Sequence, residues 1–471
     1  MIQYFEWKLW FGKELLYMKS RNISKNKVKA LGTMAFLTFA SNAHATCDIA
    51  ASSVITGSTV NCTGTTTGLY RIATGNVDNV SVKNTGDWTY NFVSGDASTG
   101  TTPSHYAYIG LTGTGSDSMT FTNSGKIIGN NLLAPDVLSS TRSFLSAGIQ
   151  VRQNDGKNNK FYNTSSGIIE AKVTAGIGFV LGISAGGVGN SSGDSLIDNA
   201  GTVTISSSTG SVRGLVTAGT GSKIINSGTV NATTTSSGRT ETLGILVEGH
   251  RVNSGIAKPS VDQLIDNSGT VNISGSTLAS TGIQAAYETG VGGVVTSLNT
   301  TINNSGTVLV NTNVSNSTVY GIAMKGSSNN STVNNSGKIT LTGGNSILRG
   351  TYAGIYRSNG GTNGSEMFTI NNTGDITTDA MSYAIYTLNT RDTVNIDGGN
   401  ILGNIGTGIA NDTLTLTNGS IVGNIDTGIN EDIFVATGGS IKGSLNMNFG
   451  SDTATISNID LSTIPTLDGG D

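Results

Sequence analysis

The chain has 471 residues, of which 66 are glycine, four are proline and 12% are charged, and its formal net charge is −4. Glycine is about twice as frequent and charged residues about half as frequent as in an average globular protein, which argues against an ordinary multidomain protein of this length. Low proline content and a small net charge argue against disorder. Residues 1–45 hold seven basic and two acidic residues, which leaves 19 basic against 28 acidic residues in the remainder, the wrong sign for a nucleic-acid binder.

The N-terminal segment has the three parts of a secretory signal peptide. Five basic residues lie between Lys19 and Lys29 without an acidic one, an apolar run follows at residues 30–40, and an A-x-A site ends at Ala45. The run is too short to span a bilayer as a helix. We therefore predict a signal helix within residues 1–45 and cleavage after Ala45, with a retained amphipathic helix as the alternative. Met18 is the better start for such a signal, so residues 1–17 are either a mis-assigned start or an extended signal.

The predicted mature chain contains two cysteines, Cys47 and Cys62. In an oxidising compartment a pair at this spacing is expected to form a disulfide, and closing a loop of about 15 residues contributes roughly 3 kcal/mol in the chain-entropy model. We predict that this bond clips an N-terminal cap of residues 46–68. A lipidated Cys47 is the alternative, although the residues before it lack the usual small-residue lipobox.

A seven-residue motif recurs along the rest of the chain, for example IDNSGTV from Ile265, INNSGTV from Ile302 and VNNSGKI from Val333. The residues four before and two after its glycine are apolar in most copies, and Val, Ile and Thr dominate. This alternation is typical of short strands, and self-similarity at a fixed period indicates a repeat architecture. The glycines of the nine copies are Gly86, Gly125, Gly167, Gly201, Gly228, Gly269, Gly306, Gly337 and Gly374.

Asparagine lies two residues before the glycine in eight of these nine copies. Asn and Gly both accept positive φ at little cost, so together they allow a sharp corner. Asn side chains stacked in register can hydrogen-bond from one coil to the next as a ladder. A ligand-binding row of amides is the alternative to this structural turn ladder. The predicted ladder consists of Asn84, Asn123, Asn199, Asn226, Asn267, Asn304, Asn335 and Asn372.

A second motif lies between copies of the first, as in TAGIGF with Gly176, STGIQA with Gly282 and VYGIAM with Gly321, and it reads as another strand of the same unit. Each period then supplies about three short strands and two or three turns, which is one rung of a β-helix. We predict an all-β fold, a right-handed parallel β-helix of about a dozen rungs over residues 69–471, following the cap and the signal helix. Apolar side chains would fill one continuous core and leave a polar exterior.

The last repeats, DTLTLTNGSIVGNIDTGI from Asp412 and DIFVATGGSIKGSL from Asp432, resemble passenger repeats of autotransporter proteins from Gram-negative bacteria. The stretch Thr46–Gly68, with its two close cysteines, is similar to the start of such passengers. The resemblance implies secretion and surface display by an outer-membrane β-barrel translocator, which we do not recognise before Asp471. It leaves open a truncated gene, a fragment or a barrel encoded elsewhere. Family members with such rungs include adhesins, self-associating proteins, proteases and esterases.

Catalytic signatures are weak. Residues 193–196 spell GDSL, an esterase motif, but that chemistry needs a histidine as base, normally with an acid three residues before it. His105 and His250 have Thr and Val there. We therefore predict no enzyme, with Ser195 as the single esterase alternative. The sequence predicts no metal, cofactor or nucleotide site either.

Long insertions between motifs are the remaining places for binding, because solenoids often bind through loops. The most charged insertion contains His250, Arg251 and Lys258, a possible contact loop. We predict a protein at the cell surface, in the outer membrane or outside the cell, or in the periplasm if no barrel is supplied. Its expected partners are a host-cell or matrix receptor or further copies of itself, and no nucleic acid. A carbohydrate-active or esterase passenger and a structural stalk or truncated remnant are the alternative functions.

Overall fold

The computed structural model describes residues 9–11, 14–16, 46–49, 53–66, 70–72, 78–92, 109–111, 117–131, 149–151, 157–174, 179–185, 193–208, 210–235, 241–248, 260–275, 279–286, 297–312, 318–326, 328–343, 352–358, 366–379 and 382–470. The apolar run of the predicted signal peptide and the predicted contact loop around His250 lie outside these residues. Residues 1–44 and 45–471 form two separate units. In the first, Leu9–Phe11 pairs antiparallel with Glu14–Leu16.

The second unit winds through three strands per coil, and the strands of successive coils pair in parallel to form three faces, A, B and C. Face A contains Thr59–Thr63, Ser81–Asn84, Thr120–Asn123, Lys160–Asn163, Leu196–Asn199, Lys223–Asn226, Leu264–Asn267, Thr301–Asn304, Ser331–Asn335, Met367–Asn372, Ile433–Ala436 and Thr453–Ile456. Face B contains Thr65–Thr66, Asp87–Phe92, Lys126–Asn131, Ile168–Val173, Thr202–Ser207, Thr229–Thr234, Thr270–Gly275, Thr307–Thr312, Lys338–Thr342, Asp375–Thr377 and Ser440–Lys442. Arg391–Leu402 and Thr413–Val422 run through the corner from face A to face B, so the two faces join into one 26-stranded sheet.

Face C is a separate sheet of 14 described strands, one from each coil, so the described part of the solenoid contains 14 coils. Its strands are Tyr70–Ile72, Ile109–Leu111, Ile149–Val151, Phe179–Ala185, Ser211–Ala218, Glu241–Glu248, Ala279–Ala285, Thr318–Met324, Tyr352–Arg357, Tyr383–Tyr386, Asn404–Gly406, Ile425–Asp426, Leu445–Asn446 and Leu467–Asp468. A small parallel pair, Ser260–Val261 with Ser297–Leu298, and a 3₁₀ turn, Leu461–Thr463, complete the described elements. The predicted parallel β-helix is confirmed.

The core consists of apolar columns that run from coil to coil. The residue four before the corner glycine forms one column on face A, and the residue two after it forms another on face B, as the motif predicts. Each side chain is covered above and below by its equivalents, so the solenoid builds one continuous core by repetition. The face A column includes Val82, Phe121, Phe161, Ile197, Ile224, Ile265, Ile302, Val333, Ile370, Val394, Leu414 and Phe434, all at most 1% exposed.

Face C differs from the predicted polar exterior because its strands from Ser211–Ala218 to Tyr352–Arg357 are buried on both sides. Every residue of Ser211–Ala218 is buried. Its outward side carries two apolar clusters, one of Leu181, Val216, Leu243 and Leu246 and one built around Tyr320 and Tyr356. Near-continuous apolar runs are typical of parallel strands that are covered on both faces. The alternation rule that applies to faces A and B therefore fails here.

One assignment to face C is wrong. The sequence places Gly176 in the recurring glycine position of this face, but the structure places Gly182 there, in register with Gly214. A side chain is impossible at this position because a Cβ on Gly182 would lie 2.5 Å from the Gly214 carbonyl oxygen and 2.8 Å from Val203. Gly176 lies outside the described residues.

The N-terminal end of the solenoid is covered by a cap. Thr46–Cys47 pairs antiparallel with the first strand of face A, and a disulfide joins Cys47 to Cys62. Val54, from the connecting segment, is 4% exposed and packs into the core. The predicted clip therefore lies at the first coil, where it covers the open end of the sheet.

Candidate functional site

A continuous ladder of amides runs inside the corner between faces A and B. Each Asn side chain donates from Nδ2 to Oδ1 of the Asn in the next coil at 2.7–2.8 Å, as from Asn226 to Asn267 and from Asn267 to Asn304. The ladder ends where Asn372 donates to the carbonyl of Gly374. All of its members are at most 1% exposed, so the amides satisfy each other and are not available to a ligand.

The ladder contains a ninth member, Asn163, which the motif search left out. Its copy of the motif has one extra residue, so Asn163 lies four positions before Gly167 instead of two. The structure keeps Asn163 in register by placing the extra residue in the turn, and its amide bridges Asn123 to Asn199. Aligning the copies on the Asn instead of the glycine would have identified it.

Backbone packing explains the glycines of this corner. A Cβ on Gly269 would lie 2.1 Å from the carbonyl oxygen of Gly228, and one on Gly306 would lie 2.1 Å from that of Gly269. Successive coils approach each other so closely here that only glycine fits. The corner is therefore narrow, and it positions the residues on either side of each glycine in two straight rows.

Those two rows line a shallow groove of about 760 Å³ on the outer side of the ladder. Its floor is glycine backbone. The Ser side chains that precede the glycines are exposed, and the Thr side chains that follow them are half-buried. Over five coils the lining residues are Ser227, Gly228, Thr229, Ser268, Gly269, Thr270, Ser305, Gly306, Thr307, Ser336, Gly337, Lys338, Thr373, Gly374 and Asp375. The groove therefore presents repeated neutral hydroxyls, with one cation and one carboxylate at its C-terminal end.

The GDSL motif lies at the corner between faces C and A. Asp194 has a φ of 52°, and the same left-handed backbone recurs one coil before, at Asn158, and two coils later, at Asp262. Ser195 directly precedes the face A strand Leu196–Asn199 and is 1% exposed. Its hydroxyl has no hydrogen-bond partner among the described residues, and both histidines of the predicted mature chain lie outside those residues. The motif thus occupies a repeated structural corner.

A column of four aspartates, missed by the sequence analysis, lies at this same corner in the last coils. Asp412 accepts a hydrogen bond from the backbone N–H of Asp392 at 2.7 Å. Asp432 accepts one from the N–H of Asp412, and Asp452 one from the N–H of Asp432, each at 2.8 Å. Their regular spacing of 20 residues was the available signal in the sequence. It does not by itself indicate burial, because acidic residues in turns are usually exposed. We call this column the carboxyl stack.

Other site types find little support in the described part of the chain. No group of three or more His, Cys, Asp or Glu residues is arranged to hold a metal ion there. No described helix is long and apolar enough to span a membrane. The possible contact residues His250, Arg251 and Lys258 lie outside the described residues, so their predicted role remains a prediction.

Comparison with known proteins identifies no family. No protein-family model matches the chain, and no curated protein and no solved structure is significantly similar to it. The candidate site therefore rests on geometry alone: a solenoid with a fully buried amide ladder, and outside it a polar groove that repeats with the coils.

Proposed function

We propose that the chain is an exported passenger of the autotransporter type that acts in adhesion or self-association. The observation that carries the proposal is the hydroxyl-lined groove over five coils, outside the ladder corner. A partner that lies along this groove would meet the same contacts in each coil. Many weak contacts along one rigid face add up to a strong attachment.

The composition and the order of segments agree with this role. The signal-like N-terminus predicts export, and a disulfide in the first coil suits an oxidising environment. The net negative charge of the chain does not favour nucleic acid as a partner. The expected partners are a receptor on a host cell or in its matrix, or a second copy of this chain, and the expected location is the cell surface or the surrounding medium.

The groove can be tested with a variant that fills it. Ser268→Arg together with Ser336→Arg places two long charged side chains at exposed groove positions, whereas Asn311→Arg changes an exposed residue of face B outside the groove lining. We expect the groove variant to lower attachment and autoaggregation of expressing cells about tenfold or more, which corresponds to a loss of about 1.4 kcal/mol or more of contact energy. The Asn311→Arg control should behave as the wild type.

Two outcomes would contradict this function. One is unchanged attachment and autoaggregation after deletion of the gene. The other is equal loss of attachment in the groove variant and the Asn311→Arg control. Export is tested separately by sequencing the N-terminus of the surface or secreted protein, which should begin at Thr46.

The alternative functions make different demands. An esterase acting through Ser195 requires this buried corner to open, because the side chain is 1% exposed in the folded chain. Turnover of acyl or polysaccharide substrates by purified protein, lost in Ser195→Ala, would support that alternative. A structural stalk predicts normal surface display with no binding, whereas a truncated remnant without a translocator predicts no surface display.

A further inference from the structure

The carboxyl stack is the most unusual electrostatic feature of the described residues. Asp392, Asp412 and Asp432 are 1%, 2% and 1% exposed, and equivalent members lie one coil apart. Strands of neighbouring coils are about 4.8 Å apart, so ionised members would place like charges close together in a dry corner. Burying a carboxylate without a partner costs several kcal/mol.

The hydrogen bonds of the stack satisfy only one oxygen of each carboxyl. Oδ1 accepts from a backbone N–H in Asp412 and Asp432, and from the Thr390 hydroxyl at 2.8 Å in Asp392. No described group donates to Oδ2 of any of the four. A carboxylate with an unsatisfied, buried oxygen is unfavourable, whereas a carboxylic acid carries its own proton there.

Three threonine hydroxyls lie beside the stack. Thr387, Thr407 and Thr427 each donate their hydroxyl proton to a carbonyl of the next coil. Burial raises the pKa of Asp392, Asp412 and Asp432, and contacts with these hydroxyls lower it by a smaller amount.

Few charges face the stack from the surrounding elements. Arg357, fully buried on face C, attracts Asp392, but it is already paired with Glu366 at 2.8 Å. Asp426, on the adjacent face C strand, repels Asp432. The chain neighbours Arg391 and Glu431 are exposed. Among the described charged groups, one cation therefore lies near Asp392, the first member of the stack, and one further carboxylate lies near Asp432, the third member.

We propose that the carboxyl stack is a proton-operated latch, which holds the last coils of the solenoid together when it is protonated and loosens them when it ionises. The latch would regulate how firmly this end of the molecule is folded. It goes beyond the adhesive role and does not depend on it.

The ionisation of the stack has a defined direction. Burial raises the pKa of Asp392 to about 7. Burial, and then repulsion from Asp392, raises the pKa of Asp412 to about 9. Burial also raises the pKa of Asp432 to about 6. Because these values exceed the ordinary aspartate value of about 3.9 in an unfolded chain, the folded state binds more protons. Stability is then fully present below about pH 4, falls as the pH rises above the unfolded value, and is fully lost once the last member ionises in the folded state at about pH 9.

Hydrogen exchange of the full chain tests the latch. After correction for intrinsic exchange rates, we expect the opening of residues 404–456 to increase with pH from about pH 4 to about pH 9, by about tenfold per pH unit for each proton that opening releases. Residues 196–235, which lie in coils remote from the stack, serve as an internal reference and should change little. If the protection of residues 404–456 stays the same across this pH range, the proposal is overturned.

Variants separate the stack from other titrating groups. Asp392→Asn, Asp412→Asn and Asp432→Asn combined should flatten the pH dependence, because the amides cannot ionise. Glu431→Gln, an exposed acid next to Asp432, is the matched control and should keep the wild-type dependence. A triple variant with the wild-type pH dependence would contradict the latch.

Infrared spectroscopy of the wild type gives a readout that does not need the variants to fold. A carbonyl band of protonated carboxylic acid should persist at about pH 6, where ordinary aspartates and glutamates are ionised, and should disappear by about pH 10. Absence of that band at about pH 6 would overturn the proposal on its own.

Discussion

A buried amide needs partners for both its oxygen and its nitrogen, and stacking provides both from one residue type. In the ladder Asn267 accepts from Asn226 and donates to Asn304, each at 2.7 Å, so every interior member is satisfied by its neighbours. Removal of one member leaves a donor on one side and an acceptor on the other without a partner. Such orphaned groups are more costly than the lost bonds themselves.

We expect Asn267→Ala to lower the free energy of unfolding by about 2 to 4 kcal/mol, since it orphans the Nδ2 of Asn226 and the Oδ1 of Asn304. Asn311→Ala, at an exposed position of the same region, should stay within about 0.5 kcal/mol of the wild type. Thermal and denaturant unfolding of the purified chain measure both. Equal stabilities of the two variants would mean that the ladder contributes nothing.

At the scale of the element, the corner between faces A and B is set by backbone contact. The Gly228 carbonyl oxygen would lie 2.1 Å from a Cβ on Gly269, far inside contact distance, and the nearby atoms are backbone atoms that cannot move aside. The corner can therefore accommodate a side chain only if the two coils separate, which also disturbs the ladder next to it.

Gly269→Ala should destabilise the solenoid by about 1 to 3 kcal/mol or more, as expected for overpacking that shifts the backbone. The matched control is Gly469→Ala, where a Cβ would meet no atom within 4 Å. Differential scanning calorimetry should show a lower melting temperature for the first variant only. If Gly269→Ala has the same melting temperature as the wild type, the close approach of the coils is not the reason that glycine occupies this position.

Elements with a strict local period were predictable from the sequence, and elements whose surroundings depend on other coils were not. The buried positions of core residues such as Ile265 and Val271 follow from the alternation within a single copy of the motif. Asn163 escaped because one inserted residue shifts its spacing, and Gly182 because a similar glycine precedes it in the chain. The carboxyl stack escaped because nothing local distinguishes a buried aspartate such as Asp412 from an exposed turn residue.

The buried outer side of face C also depends on context. Tyr320 and Tyr356 stack at 4.0 Å between ring centroids, outside the sheet and not in its core. The sequence alone does not show whether a tyrosine in a strand lies on the inner or the outer side of the sheet. The groove was not predictable as a site, since its Ser and Thr residues are typical of any turn in such a chain.

At the scale of the whole solenoid, each coil contacts mainly the coils before and after it, so stability is close to a sum of coil and interface terms. In the last coils the repeat is 20 residues, and face A residues pair at that spacing, such as Thr413 with Ile433 and Ile433 with Thr453. An entire coil can therefore be removed there without a change of register.

Deletion of residues 412–431 joins Asn411 to Asp432 and should leave a folded solenoid that is one coil shorter. Face A residues 433–436 would then pair with residues 393–396, the partners that residues 413–416 have in the full chain. Deletion of only residues 412–421 places Val422 where Asp412 was, so strand and corner residues no longer align and the following coils should not pack. Hydrogen exchange of residues 433–456 distinguishes the two, with protection expected only in the 20-residue deletion. Equal protection, or equal loss of it, in both deletions would show that register between coils is not what holds this end of the molecule together.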